Sequence, residues 1–171
     1  MSLVPSLARP INVVCAWLEQ TSLSHTIQVM SWIIPTVQTV HILAIAAVAG
    51  SALMIDLRLI GVLAADQSPR DVSARFLPFV WWPLLVLLAT GAIMIIGEPA
   101  RSLKNPAFQL KMTLLVAALA VTLLIQRQLR RNPAFGDRGS GHRRAAVAIA
   151  VLSMLLWCSI IFAGRWIAYY A

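Results

Sequence analysis

One histidine and one lysine stand inside long apolar runs of the sequence. His41 lies eight residues into an apolar stretch that begins at Ile33, and Lys111 lies four residues into another that begins at Ala107. A polar group inside such a run is costly unless it has a partner or a function. Because a neutral imidazole binds haem iron, copper or zinc through one ring nitrogen, we identify His41 as a candidate metal ligand.

Both residues also have a plain structural interpretation. His41 can be a packing residue that hydrogen-bonds a neighbouring helix, and Lys111 can extend along its helix to the lipid headgroups. In the functional interpretation, Lys111 instead faces a carboxylate, such as Glu98 or a haem propionate. The residue types alone leave these alternatives open.

The sequence contains four long apolar segments: residues 33–55, 76–96, 107–125 and 145–163. As helices they measure about 28 to 35 Å, which matches the hydrocarbon thickness of a bilayer. The 171-residue chain is 60% hydrophobic and 12% charged, whereas soluble domains carry about 25% charged residues. The sequence therefore predicts one all-α domain, an integral membrane four-helix bundle surrounded by the lipid bilayer.

A shorter amphipathic segment precedes the first apolar one. Ile11, Val14, Cys15 and Leu18 recur at helical spacing within residues 10–19. We expect a short N-terminal helix there that lies at the membrane interface.

The basic residues indicate orientation rather than nucleic-acid binding. The net charge is +8, but these residues stand in short stretches between apolar segments and not on a folded basic face. Nine Lys and Arg residues fall between segments one and two or between three and four, and four fall on the opposite side. Since basic loops stay in the cytoplasm, we expect a bacterial inner-membrane protein with both termini in the periplasm.

In this orientation, several ionisable groups converge at the outer end of the bundle. His41 and Lys111 lie at neighbouring depths, and Glu98 and Arg101 follow the second segment at the same end. Lys111 and Arg101 are therefore candidate cofactor-binding residues that accompany His41.

Two features of the first segment have structural interpretations. Asp56 stands close to Arg58 at its inner end, and we expect Asp56 to form an ion pair with Arg58 or with Arg75. Ala46 and Gly50 are four residues apart, a spacing of small residues that permits close packing of membrane helices.

Many of these residues also form a pattern known from other proteins. It comprises Pro35, His41, Gly50, Asp56-Leu57-Arg58-Leu59, Gly61, Thr90-Gly91, Glu98-Pro99, Arg101, Asn105-Pro106-Ala107-Phe108 and Lys111. The pattern spans residues 35–125 and resembles a family of small bacterial four-helix membrane proteins of unknown function. More distantly, a histidine in the first helix and a lysine at the start of the third are similar to the copper-resistance D family and to the small membrane protoporphyrinogen oxidase family.

The resemblances imply different functions. Similarity to the oxidase family implies haem b bound through His41, with a functional lysine at Lys111, for electron transfer or a haem-linked oxidation. Similarity to the copper-resistance D family implies a permease for copper or a small solute. A third hypothesis is a non-catalytic accessory subunit that contacts a membrane partner or a second copy. Ligation by two histidines would need His25 to fold into the bundle, and the sequence does not decide whether the protein is an enzyme.

Overall fold

The computed structural model describes residues 5–64, 66–132, 134–137, 139 and 141–169. Over these residues the chain forms helices and no strand. The helices are α1 (Pro5–Glu19), α2 (Ser22–Val29), α3 (Ile33–Ile60), α4 (Pro69–Phe76), α5 (Pro78–Gly97), α6 (Pro99–Leu103), α7 (Pro106–Arg131) and α8 (Arg143–Trp166), followed by a 3-10 turn at Ile167–Tyr169.

Four helical stretches are long and apolar enough to cross a membrane: Ile33–Ile60, Pro69–Gly97, Pro106–Arg131 and Arg143–Trp166. They contain the four predicted apolar segments, so the all-helical class and the number of membrane-length helices are confirmed. The observed helices run past the predicted limits. Helix α3, for example, continues beyond residue 55 because the fold accommodates Asp56 and Arg58 as buried residues.

Helix α3 lies at the centre of the packing. It contacts both α5 and α8, and α7 packs against the other side of α8, while direct contacts between α5 and α7 are few at most. The order around the bundle is therefore α5, α3, α8, α7. Among the four sides of this arrangement, α5 and α7 pack least closely.

Two apolar clusters fill the interior. The central cluster comprises Val48, Ala52, Val80, Ala118, Trp157 and Ile160. The second comprises Ile55, Leu59, Ile125, Leu129, Phe135, Ala146 and Ala150. We call the end closed by this second cluster the arginine end, where α3 and α7 finish, α4 lies and α8 begins. The opposite end, where α3 and α7 begin and α8 finishes, is the histidine end.

On α3, the small residues that face the interior of the bundle are not the predicted pair. Ala44 and Ala52 are 6% and 4% exposed, whereas Ala46 and Gly50 are exposed and Gly50 has no neighbouring atom within reach of an added Cβ. The prediction that Ala46 and Gly50 pack closely against another helix was wrong, because this pair lies on the exposed face of α3.

Two helices precede the membrane-length ones. Helix α1 contains the predicted residues 10–19 and packs against α6, and α2 packs against α5. A Cβ at Gly97 would meet Ile27 of α2 at 2.9 Å. Next to it, Gln28 Nε2 donates a hydrogen bond of 2.8 Å to the Gly97 carbonyl. Glycine at position 97 thus allows α2 to lie directly on the end of α5.

Candidate functional site

The side chain of His41 on α3 is held by α5. Its Nδ1 lies 2.7 Å from Thr90 Oγ1, and the same hydroxyl lies 2.7 Å from the carbonyl oxygen of Val86. A carbonyl can only accept a hydrogen bond, and the short contact with Val86 fits a Thr90 hydroxyl that donates to that carbonyl and accepts from His41. In this tautomer the imidazole proton is on Nδ1 and Nε2 keeps a lone pair. A metal-binding histidine is oriented in the same way, through a hydrogen bond from its second ring nitrogen.

One neighbour of the imidazole has no side chain. A Cβ at Gly91 of α5 would lie 3.8 Å from His41 Cε1. His41 itself is half-buried. The hydrogen bond to a neighbouring helix, expected in the structural interpretation, is therefore present, and it leaves Nε2 available for the functional one.

Lys111 is directed along the interface of α7 and α8. A Cβ at Gly164 of α8 would lie 3.6 Å from Lys111 Nζ, and Lys111 is close enough to His41 to interact with it electrostatically. Among the described residues, the Lys111 ammonium has no hydrogen-bond or salt-bridge partner. The structure thus brings Lys111 and His41 to the same region at the histidine end.

The start of α7 fixes where Lys111 lies. The Asn105 side chain caps this helix by accepting hydrogen bonds from the backbone N–H groups of Ala107 (2.9 Å) and Phe108 (3.4 Å). Its Nδ2 donates to the carbonyl of Ile167 at 3.1 Å. Asn105 is 4% exposed, and it joins the start of α7 to the end of α8, so that Lys111 follows less than two turns later.

Arg101 lies in a separate cleft outside the helix interface that holds His41. Its Nη1 forms a salt bridge of 3.0 Å with Glu98 Oε2, and both side chains are about half exposed. The cleft has a volume of about 790 Å³, and its lining includes Glu19, Gln28, Ser31, Ile34, Glu98 and Arg101. His25, the other histidine near this end, is exposed on α2. The predicted convergence therefore joins His41 with Lys111 but leaves Arg101 paired with Glu98.

The predicted ion pair of Asp56 with Arg58 or Arg75 is not found among the described residues, and Arg75 is exposed. Arg58 Nη2 forms a salt bridge of 3.1 Å with Asp137 Oδ1, and Arg58 Nε donates to the Gln67 carbonyl at 2.6 Å. Asp56 instead lies beside the hydroxyl of Ser153 on α8. Residues two positions apart on a helix point in different directions, so Asp56 and Arg58 cannot face each other.

A second arginine holds the arginine end together. Arg143 Nη2 donates to the carbonyl of Ile60 at 3.0 Å, and its Nη1 donates to the carbonyl of Gly136 at 3.4 Å. The start of α8 is thus bound both to the end of α3 and to the stretch of chain that precedes α8. Arg58 and Arg143 both counted as orientation signals in the sequence, and both are structural residues as well.

Residues 14–170 match the model of DUF6644, a family of unknown function. The chain belongs to this family. The resemblance expected over residues 35–125 is thereby confirmed at the level of a family of unknown function, and the match extends towards both ends of the chain. No curated protein and no solved structure matches the chain significantly. Since the description of DUF6644 names no activity, the function has to be argued from the site.

Three residues that position the site in this DUF6644 chain were not assigned a role from the sequence: Thr90, Gly91 and Gly164. Threonine and glycine are ordinary residues of membrane helices, and Thr90 satisfies its hydroxyl on its own helix. The one available signal was the Thr90-Gly91 pair within the family pattern. The role of the Thr90-Gly91 pair is visible only in the structure, where α3 places His41 beside it.

Proposed function

We propose that this protein is a multi-pass protein of the bacterial inner membrane that binds haem b through Nε2 of His41. The observation that carries the proposal is the hydrogen bond between His41 Nδ1 and Thr90 Oγ1 at 2.7 Å. It fixes the ring orientation and directs the proton away from the ligating nitrogen, which is the arrangement that metal-binding histidines share.

Haem suits this site better than a bare metal ion. Within the described ranges, no group of three or more His, Cys, Asp or Glu side chains could hold a metal ion. Haem iron brings four porphyrin nitrogens and needs one or two ligands from the protein. The absence of a side chain at Gly91, beside the imidazole, and the sparse packing between α5 and α7 are consistent with a flat group entering from the lipid.

Lys111 is the favoured partner of a haem propionate. Its ammonium lies at the same end as His41 and has no acceptor among the described residues, whereas Arg101 is already paired with Glu98. A charged hydrogen bond to a propionate would satisfy an ammonium that the fold otherwise leaves half-buried and unpaired. When bound, the haem would supply one-electron chemistry, for electron transfer or a haem-linked oxidation.

The orientation proposed with this function places the histidine end towards the periplasm. The two stretches rich in arginine, before α5 and between α7 and α8, lie together at the arginine end, as the contacts of Arg58 and Arg143 require. Basic loops favour the cytoplasmic side. Haem would therefore lie in the periplasmic half of the membrane.

The test is the absorption spectrum of the full chain purified in mild detergent, after addition of haem. The wild type should show a Soret band, and His41→Ala should lose it while remaining in the membrane, since one alanine hardly disturbs so apolar a helix. His25→Ala is the matched control and should keep the band. Lys111→Ala should weaken haem binding about 10- to 150-fold, as expected for one charged hydrogen bond.

Two results would contradict the proposal. An unchanged spectrum in His41→Ala would exclude this residue as the ligand. A wild type that stays colourless with excess haem would remove haem binding altogether, and copper uptake by cells that express the chain would then be measured.

A further inference from the structure

We propose that Asp56, together with Ser153 and Trp157, forms a proton-binding site within the arginine half of the bundle. The site is separate from His41 and does not depend on haem. It rests on three buried polar groups that α3 and α8 place on one interface.

The first observation is the surroundings of the Asp56 carboxyl. Asp56 and Ser153 are each 1% exposed, and the Ser153 hydroxyl of α8 lies beside the Asp56 carboxyl of α3. The second carboxyl oxygen, Oδ2, is buried and has no hydrogen-bond partner among the described residues. A buried polar atom without a hydrogen-bond partner favours the binding of a water molecule or a small ion next to it.

The second observation is an unpartnered donor on the same interface. Trp157 Nε1 is also buried without a hydrogen-bond acceptor in the described part of the chain. Trp157 shares the central cluster with Ala52, and Asp56 follows Ala52 by one turn, as Trp157 follows Ser153. Because α3 and α8 run antiparallel, Trp157 lies about one helical turn from Asp56 along their interface. A water between the two side chains would accept from the indole and bond the carboxyl.

The third observation is that the neighbouring cations are engaged elsewhere. Arg58 binds Asp137 and the Gln67 carbonyl, and Arg143 binds the carbonyls of Ile60 and Gly136. Helix α5 carries no charged residue. The other charged side chains on α4, on the second half of α7 and at the start of α8 are exposed: Arg70, Asp71, Arg75, Arg127, Arg130, Arg131 and Arg144.

A buried carboxylate without a paired cation is strongly disfavoured, so the carboxyl must take up a positive charge. Calcium requires six to eight oxygen ligands and magnesium about six. The site offers one carboxyl and one hydroxyl, which are too few for either ion but enough for a proton. The carboxylate takes up one proton from solvent at the arginine end: an O–H bond forms on the carboxyl, an O–H bond of the hydronium ion that delivers the proton breaks, and a water molecule is left.

The site lies close to the arginine end of α3. Asp56 lies four residues before Ile60, where α3 ends, which corresponds to about 6 Å along the helix. Exchange of the proton should therefore occur through the arginine end and not through the histidine end.

The experiment is infrared absorption of the purified full chain in mild detergent. The chain has six Asp and Glu residues in total, and exposed carboxyls are ionised at about pH 7. The wild type should show one protonated carboxyl band at that pH, and Asp56→Asn should abolish it. Ser153→Ala should shift the band, because it removes the hydroxyl that lies beside the carboxyl. Asp71→Asn is the matched control at an exposed carboxyl and should leave the band unchanged.

The outcomes separate cleanly. Absence of a protonated carboxyl band in the wild type, or its persistence in Asp56→Asn, would overturn the proposal. Transfer to heavy water should shift the band, and a band that never shifts would exclude exchange with solvent. If Asp56→Asn does not give a folded protein by size-exclusion chromatography, Ser153→Ala decides: a band that stays in place overturns the assignment.

Discussion

Nδ1 of His41 and Oγ1 of Thr90 lie 2.7 Å apart and join two helices across 49 positions of sequence. This contact does more than hold α3 against α5. When the Thr90 hydroxyl donates to its own helix at Val86, it accepts from the imidazole, and the contact then places the histidine proton on Nδ1.

Thr90→Val should weaken haem binding without removing it. The valine keeps the volume of the side chain but leaves the His41 Nδ1–H without an acceptor, so the ring loses its fixed orientation. We expect haem affinity to fall about 10- to 100-fold, measured by titration of the Soret band. Thr90→Ser, which keeps the hydroxyl, should bind nearly as the wild type does. Equal affinity in Thr90→Val would show that Thr90 does not orient the ligand.

Gly136→Ala should destabilise the protein more than Gly139→Ala. Both glycines have a positive φ, +92° and +97°, where any other residue costs about 1 to 2 kcal/mol. At Gly136 the added Cβ would also lie 2.8 Å from Leu59 Cδ2, whereas at Gly139 no atom is within 4 Å. The free energy of unfolding should fall by about 2 to 5 kcal/mol for Gly136→Ala. Unfolding in detergent, followed by circular dichroism, measures the difference, and equal losses would refute the contact.

Arg58→Ala should lower stability far more than Arg130→Ala. The Arg58 side chain is 6% exposed and that of Asp137 is 41% exposed, so truncation of Arg58 leaves the Gln67 carbonyl and Asp137 without their donor. We expect a loss of about 2 kcal/mol in the free energy of unfolding. Arg130 is exposed, and its truncation should change stability by less than about 0.5 kcal/mol. Arg58→Lys should recover only part of the loss, because an ammonium cannot reproduce the guanidinium's two-directional bonding.

A reporter fused after Ala171 should be active only if it works in the periplasm. The reason is the excess of Lys and Arg in the loops at the arginine end, which favours the cytoplasm for that end. An alkaline phosphatase fusion should be active and a green fluorescent protein fusion dark. The reverse result would place the histidine end in the cytoplasmic half and change the side from which haem reaches His41.

The sequence by itself determined the helical class and the number and approximate limits of the membrane-length helices. A bilayer requires about 20 apolar residues per crossing, so apolar runs separated by charges define the helices directly. It also placed His41 and Lys111 at one end of the bundle, because depth follows from counting residues along a helix of known rise.

Only the tertiary structure decided which side chains meet. Apolar residues occur on every side of helix α3, so its sequence does not show that Ala44 and Ala52 face inward while Ala46 and Gly50 face outward. The partner of Arg58 lies 79 positions away at Asp137, and the partner of Asp56 lies on α8. Such pairings depend on how the helices are rotated and arranged around one another. The spacing along one helix cannot specify that arrangement.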